Sequence, residues 1–176
     1  MGATKIIVIR HAEKPGSYGG VSYFGVDDVG SVSGDAGKEH LVTLGWERAG
    51  ALVGLFAPPH VPETPVLATP QFLFASDPAA QSGDVAGDEG PSQRPYETLT
   101  ALAASLWKTL DKSHRKKHYA QIVEAALACE GVVLIAWQHE DIALTTKTGN
   151  AGISREILTQ TGTVGTPSGP SGDLPP

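Results

Sequence analysis

One cysteine, Cys129, is all the chain carries, which excludes an internal disulfide and any multi-thiolate metal site. Basic residues are scarce as well. Thirteen Lys and Arg against nineteen Asp and Glu leave a net charge of −6, the wrong balance for a surface that must grip the phosphates of a nucleic acid. No apolar run approaches the ~18–20 residues of a membrane-spanning helix. The run entered from Met1-Gly2-Ala3-Thr4-Lys5-Ile6 is also too short for a signal-peptide core. Ile6 occupies the place where myristoylation at Gly2 requires Ser or Thr. A soluble, cytoplasmic protein with neither a nucleic-acid nor a membrane partner is expected.

What the chain does have is length for one domain, 176 residues, enough to bury ~70% of the surface exposed on unfolding. It also has 21 glycines and 13 prolines, unevenly placed, so part of the length is expected to be loop and tail. Three short apolar runs read as strands: Lys5–Arg10, Phe72–Ala75, and Val132–Trp137 opened by Gly131. Four to six residues are too few for a buried helix, and continuous apolar character suits strands covered on both faces, as in a parallel sheet.

Amphipathic helical spacing lies between these runs. After Thr43, the expected N-cap, Ala49, Leu52, Val53 and Phe56 fall on one face, and Pro58-Pro59 ends the pattern. After Arg94-Pro95 the face is Leu99, Leu102, Ala103 and Leu106, with Pro95 suited to a first helical turn. Tyr119, Ile122, Val123 and Ala126 repeat the spacing before Gly131. Strands alternating with such helices predict a three-layer α/β/α domain with a mostly parallel central sheet.

Three segments lack periodicity. Residues 14–42 hold seven glycines and read as one long loop. Residues 77–93 read as a flap or insertion, and 159–176 as a Thr/Gly/Pro/Ser tail without structure. The domain is therefore expected to occupy residues 1–158. Lys108–Lys117 is locally basic and reads as a solvated helix junction. Ala36-Gly37-Lys38-Glu39 lacks the spacing of a nucleotide-binding loop. Cys129 and the three tryptophans, Trp46, Trp107 and Trp137, are expected to pack in the core or, for the indoles, along a site wall.

In open parallel sheets ligands bind at the carboxyl ends of the strands. Here the first run ends in Arg10-His11 and the third in Gln138-His139-Glu140-Asp141. Arg94 heads a helix and is the only Lys or Arg between Arg48 and Lys108, a stretch with six acidic residues. Two arginine forks, two imidazoles and helix N-terminal amides would form a receptor for a phosphate dianion. A neutral imidazole can attack phosphorus while the arginines stabilise the equatorial oxygens. The competing reading of any one of these histidines is a hydrogen-bonded structural residue, and a lone arginine in an acidic stretch can equally be a surface neutraliser.

Four segments, in order, resemble the histidine phosphatase (phosphoglycerate mutase-like) superfamily. Ile7-Val8-Ile9-Arg10-His11-Ala12-Glu13-Lys14 is similar to its Arg-His-Gly/Ala-Glu opening. Leu41-Val42-Thr43-Leu44-Gly45-Trp46-Glu47-Arg48-Ala49 resembles its helix entry. Ala75-Ser76-Asp77, followed after the flap by Ser92-Gln93-Arg94-Pro95-Tyr96-Glu97-Thr98, resembles the segment bearing its second arginine. Leu134-Ile135-Ala136-Trp137-Gln138-His139 resembles the strand delivering its second histidine. The resemblance covers residues 5 to about 142.

It implies a phosphomonoester hydrolase in which His11 becomes phosphohistidine and Arg10, Arg94 and His139 complete the phosphate site. It implies no metal and no other cofactor, and a small phosphorylated molecule as substrate. The proton donor stays open among Glu140, Asp141, Glu97 and Asp77, with Glu140 first because an acid follows this histidine in the acid-phosphatase branch. Glu13 and Lys14 are read as an ion pair at the site's lip or as solvated. The resemblance also implies a closing strand after the second histidine. Ile153–Leu158 offers a short helix but nothing beyond it offers a strand, so a fold without that edge strand, open to self-association, is expected. The alternatives are a catalytically weak phospho-ligand binding or scaffold protein on the same fold, and a phosphomutase.

Overall fold

Val133, Leu134, Ile135, Ala136 and Trp137 are all fully buried, and they lie in succession on one strand, so apolar layers must cover both of its faces. The computed structural model describes residues 2–32, 35–59, 67–79, 92–143 and 152–162, and shows how this is done. In chain order the elements are β1 (Ala3–Arg10), β2 (Gly16–Tyr18), β3 (Val21–Tyr23), α1 (Thr43–Phe56), β4 (Phe72–Ser76), α2 (Arg94–Leu106), β5 (Leu110–His114), α3 (Tyr119–Ala128), β6 (Gly131–Trp137) and α4 (Ile153–Gln160). Four strands form one parallel sheet in the order β1-β6-β4-β5. The short β2 and β3 form a separate antiparallel hairpin.

The alternation of side chains across the sheet sorts the helices into two layers. Val133, Ile135 and Trp137 of β6, with Ile6 and Val8 of β1, meet Ile122, Val123 and Ala126 of α3 and Ile153 of α4. Leu134 and Ala136, with Ile7 and Ile9, meet Phe56 of α1 and Leu99, Leu102 and Ala103 of α2. Each fully buried Leu or Ile side chain contributes roughly 1.5–3 kcal/mol. The expected α/β architecture, a parallel sheet between helices, is thus observed.

The helices after β1 and β6 lie on opposite faces of the sheet although the two strands are neighbours. Chain connections diverge there, and in open α/β sheets ligands bind at the carboxyl ends of such a strand pair.

Several expectations need correction. β1 is an edge strand, and its side chains are mostly half-exposed instead of buried on both faces. An edge strand lacks a lateral neighbour, so the flanking helices cover it incompletely. Residues 110–114, expected within a solvated helix junction, form the opposite edge strand β5; its polar residues face water, which an edge tolerates. The 14–42 stretch is not one long loop. It contains the β2–β3 hairpin, turned at Gly19-Gly20 with φ of 58° and 80°, and a short 3-10 turn at Asp35–Glu39. Such positive φ values are what a two-residue hairpin turn demands of its central positions.

At α1 the N-cap is Val42, and Thr43 is already helical. Pro95 does lie in the first turn of α2. That helix ends on Trp107 in a left-handed conformation, with φ 54°, and the indole is 94% exposed instead of packed. Trp137 is fully buried, and its Nε1 donates to the Lys116 carbonyl at 3.1 Å. Trp46 is half-buried and donates to the Val26 carbonyl at 2.8 Å. Cys129 follows α3, half-buried, its thiol donating to the Ala125 carbonyl at 3.3 Å. Burial, then the charge of Asp111, pushes that thiol's pKa up, so it is no nucleophile.

The short helix expected at 153–158 is α4, which runs on to Gln160, past the expected start of the tail. Most of the expected flap, 80–91, and the tail from 163 onward lie outside the described residues. Among the described residues no strand follows β6, and β1 pairs only with β6. None of the described helices is long and apolar enough to cross a membrane.

Candidate active site

His11 follows β1 directly, and its amide donates to the Trp137 carbonyl at 2.9 Å, extending the β1–β6 ladder by one bond. His139 stands two residues beyond Trp137 in a 3-10 turn, His139–Asp141. Pairing of the two strands therefore sets the histidines side by side. Their ring centroids are 5.8 Å apart, with planes at 79°. Gln138, between β6 and this turn, is buried and donates through Nε2 to Ser76 Oγ at 2.8 Å, tying the end of β6 to the end of β4.

The His11 ring is 2% exposed, and its Nδ1 lies 2.6 Å from the Ala12 carbonyl. A carbonyl oxygen only accepts, so Nδ1 carries the proton and the neutral ring holds its lone pair at Nε2. Burial pushes the imidazole pKa from 6.5 down to about 4. The Ala12 bond opposes that shift, while the positive charges of Arg94 and His139 add to it and Glu140 opposes it. At neutral pH His11 is an uncharged base with a fixed tautomer.

This has a consequence for stability. The unfolded chain takes up a proton near pH 6.5, and the folded ring resists until about 4. Stability is therefore full above pH 6.5 and is lost as the pH falls toward 4. The one group accounts for about 2–3 kcal/mol by pH 4.5. Urea denaturation at pH 7.5 and 4.5 should show that His11→Asn loses less stability on acidification than the wild type, by about that amount.

Arg94 opens α2 and donates through Nη1 to the Lys38 carbonyl. Its charge reaches His11 and lowers that residue's pKa. Thr98, one turn later, joins the two: its hydroxyl donates to the Arg94 carbonyl at 2.7 Å and accepts the Ala12 amide at 2.9 Å. The first turn of α2 is thus fastened to the residue after His11. Segment 38–41 is fastened to the same turn. The Gln93 amide donates to the Glu39 carbonyl at 3.0 Å, and the Leu41 amide to Glu97 Oε2 at 2.8 Å. His40 Nδ1 bonds the other Glu97 oxygen.

Arg10 is exposed at the end of β1. Among the described residues its side chain makes no hydrogen bond or ion pair, and it is not among the charges that act on His11, so the structure does not bring Arg10 together with the other three.

The four proton-donor candidates separate clearly. Glu97 is 5% exposed and committed to His40 and Leu41; burial raises its pKa against the pull of those partners and of Arg94. Asp77 accepts the Ala79 amide at 2.9 Å within its own turn. Asp141 is 1% exposed and bonded to Lys117 Nζ at 2.8 Å. Glu140 alone interacts with both histidines. One carboxylate oxygen is 2.8 Å from His139 Nδ1, a close contact without the alignment of a hydrogen bond that becomes an ion pair when the imidazole is protonated. Burial would raise its pKa, but its own backbone amide and the charges of His139, His11 and Lys14 outweigh this and hold it below the usual carboxylate range.

Of the two readings of Glu13 and Lys14, the ion pair is not formed. Glu13 pairs with Arg48 of α1, and Lys14 acts on Glu140. Thr98, Lys117, Glu97 and His40 hold the segments around the site through contacts distant in sequence, which no local pattern marks. Thr98 itself could have been found from its place one turn after Arg94. Groups of three or more His, Cys, Asp or Glu able to hold a metal are absent among the described residues. Comparison of the chain with protein-family models, curated proteins and solved structures returns no match.

Proposed function

We propose that this chain is a phosphomonoester hydrolase with a phosphoglycerate mutase-like fold, acting through a phosphohistidine on His11. The observation that carries the reading is the state of His11: buried, neutral, and locked through Nδ1 onto the Ala12 carbonyl so that the lone pair resides on Nε2. With its proton on Nδ1, the neutral ring has a lone pair at Nε2. A nucleophile requires one.

In the first half-reaction the Nε2 lone pair forms a bond to phosphorus as the phosphorus–oxygen bond to the alcohol breaks. Arg10, Arg94 and His139 supply positive charge and donors for the three equatorial oxygens. The departing alkoxide takes its proton from Glu140. In the second half-reaction water attacks phosphorus, Glu140 takes the water's proton, and the nitrogen–phosphorus bond breaks to release inorganic phosphate and restore His11. Glu140 is ionised in the empty site, so it must gain its proton as the substrate enters. A dianion beside it favours that uptake by like-charge repulsion.

The same ionised Glu140 favours one second reading, a protein that binds phospho-ligands and turns them over weakly. Incubation with p-nitrophenyl phosphate followed by rapid quenching separates the two. The hydrolase should release nitrophenol and leave phosphate on His11 that survives base and is lost in acid. Turnover with phosphate on another side chain, or with none trapped, overturns the mechanism. Phosphate binding without nitrophenol release selects the binding protein.

A further inference from the structure

Asp141 is the most buried carboxylate among the described residues, 1% exposed, yet it is one residue beyond Glu140 and two beyond His139. Its oxygen Oδ1 accepts from Lys117 Nζ at 2.8 Å, and the Tyr119 hydroxyl bonds the same carboxylate. Lys117 comes from the connection between β5 and α3, and Tyr119 is the first residue of α3. That connection is also held to β6 by the Trp137 indole on the Lys116 carbonyl.

The backbone of the turn is gripped as well. The Asp141 amide donates to the Gln138 carbonyl at 3.1 Å, and the Ser154 amide to the Ile142 carbonyl at 3.1 Å. Gly152 passes so close that a Cβ there would come within 2.6 Å of the Asp141 carbonyl oxygen and 2.2 Å of that of Ala143, so only glycine fits. The turn bearing His139 and Glu140 is thus held from two sides, by the β5–α3 connection and by the start of α4.

A buried ion pair is a poor way to gain stability, because the desolvation of both charges offsets most of their attraction. What such a pair does supply is direction, since the carboxylate satisfies its donors in only one orientation. We propose that Asp141, held by Lys117 and Tyr119, is the positioning residue of the site: it fixes the turn so that His139 and Glu140 face His11. This rests on the hydrolase reading for its catalytic consequence, but its structural claim stands apart from it. Asp141 touches neither substrate nor reacting atoms, and its negative charge is already balanced by Lys117. Tyr119 is also affected by Glu140, so the clamp and the proton donor share one electrostatic neighbourhood comprising Lys117, Tyr119, Glu140 and Asp141.

The test uses the full chain with Asp141→Asn, Lys117→Met, Lys117→Arg and Tyr119→Phe. Tyr119→Phe keeps the ring packing and removes one hydrogen bond, so it remains informative if Asp141→Asn fails to fold. Two readouts are taken: kcat and KM on p-nitrophenyl phosphate, and the imidazole nitrogen signals of His139 during titration with inorganic phosphate.

Asp141→Asn and Lys117→Met should lower kcat at least tenfold with KM changed less than threefold. Lys117→Arg should restore most of kcat, and Tyr119→Phe should cost a few-fold. The phosphate-induced shift at His139 should shrink in step. Wild-type kcat together with an unchanged His139 response in folded variants overturns the proposal. If the wild type itself does not turn over, the hydrolase reading fails alone, and the His139 response to phosphate still decides the clamp: altered in the variants it stands, unaltered it falls.

Discussion

His11→Asn should reduce turnover of p-nitrophenyl phosphate by roughly ten-thousand-fold or more while leaving the fold intact. Loss of a covalent nucleophile typically removes nearly all the catalysis that its partners support, because they act as a unit with it. Asparagine is the informative replacement. Its amide can still donate to the Ala12 carbonyl that His11 Nδ1 bonds at 2.6 Å, so the loop after β1 keeps its anchor. The backbone bond from residue 11 to the Trp137 carbonyl is also untouched. Only the Nε2 lone pair is removed. The variant should still bind inorganic phosphate, since Arg10, Arg94 and His139 remain, and it should trap no phosphate. The smaller loss of stability on acidification expected of this variant gives a check that does not depend on activity. Turnover within tenfold of the wild type would show that His11 is a structural residue after all.

The parts of the fold that the sequence reveals are those in which local pattern and tertiary environment agree. β4 and β6 lie inside the sheet, so burial on both faces imposes a continuous apolar run. Helices α1, α2 and α3 each turn one stripe to the core, and that stripe is written at helical spacing. The edges are different. β1 carries the same apolar run as an inner strand, yet its position depends on which strand pairs with it, which no local pattern records. β5, Leu-Asp-Lys-Ser-His, is a strand only because β4 supplies a partner; its polarity is that of an exposed edge. The β2–β3 hairpin did have a local signal in Gly19-Gly20, the dipeptide its turn requires, but three-residue strands offer too little alternation to be seen beside it.

The site divides in the same way. The juxtaposition of His11 and His139 is legible because topology brings parallel strand ends to one edge, and Arg94, whose charge acts on His11, because it heads a helix. Arg10 shares the strand end but is not brought to them among the described residues. The supporting pairs are not. Glu97 meets Leu41 across 56 positions, and Asp141 meets Lys117 across 24. Nothing in the local sequence distinguishes a carboxylate that anchors a segment from one that donates a proton. Burial makes the distinction: Glu97 and Asp141 are sealed with their partners, whereas Glu140 interacts with the histidines.

Arg94→Ala should lower kcat by about a hundred- to a thousand-fold, the usual cost of removing one preorganised donor to a developing oxyanion. A separate effect identifies the cause. The Arg94 charge lowers the His11 pKa, so its removal should raise the His11 titration midpoint from about 4, measurable by the imidazole nitrogen shifts of the substrate-free protein. Arg94→Lys distinguishes charge from geometry. Lysine keeps the positive charge, so the midpoint should stay near the wild-type value, but it lacks the planar fork that can face the Lys38 carbonyl and an anion together. Its kcat should therefore still fall about tenfold or more. The backbone bonds around residue 94 limit collateral damage in both variants, because Thr98 accepts the Ala12 amide and donates to the residue 94 carbonyl, not to its side chain. If Arg94→Lys matched the wild type in kcat, a point charge would suffice and the fork would have no role. If Arg94→Ala left both kcat and the His11 midpoint unchanged, Arg94 would be the surface neutraliser of an acidic stretch, and the phosphate site would have to be built without it.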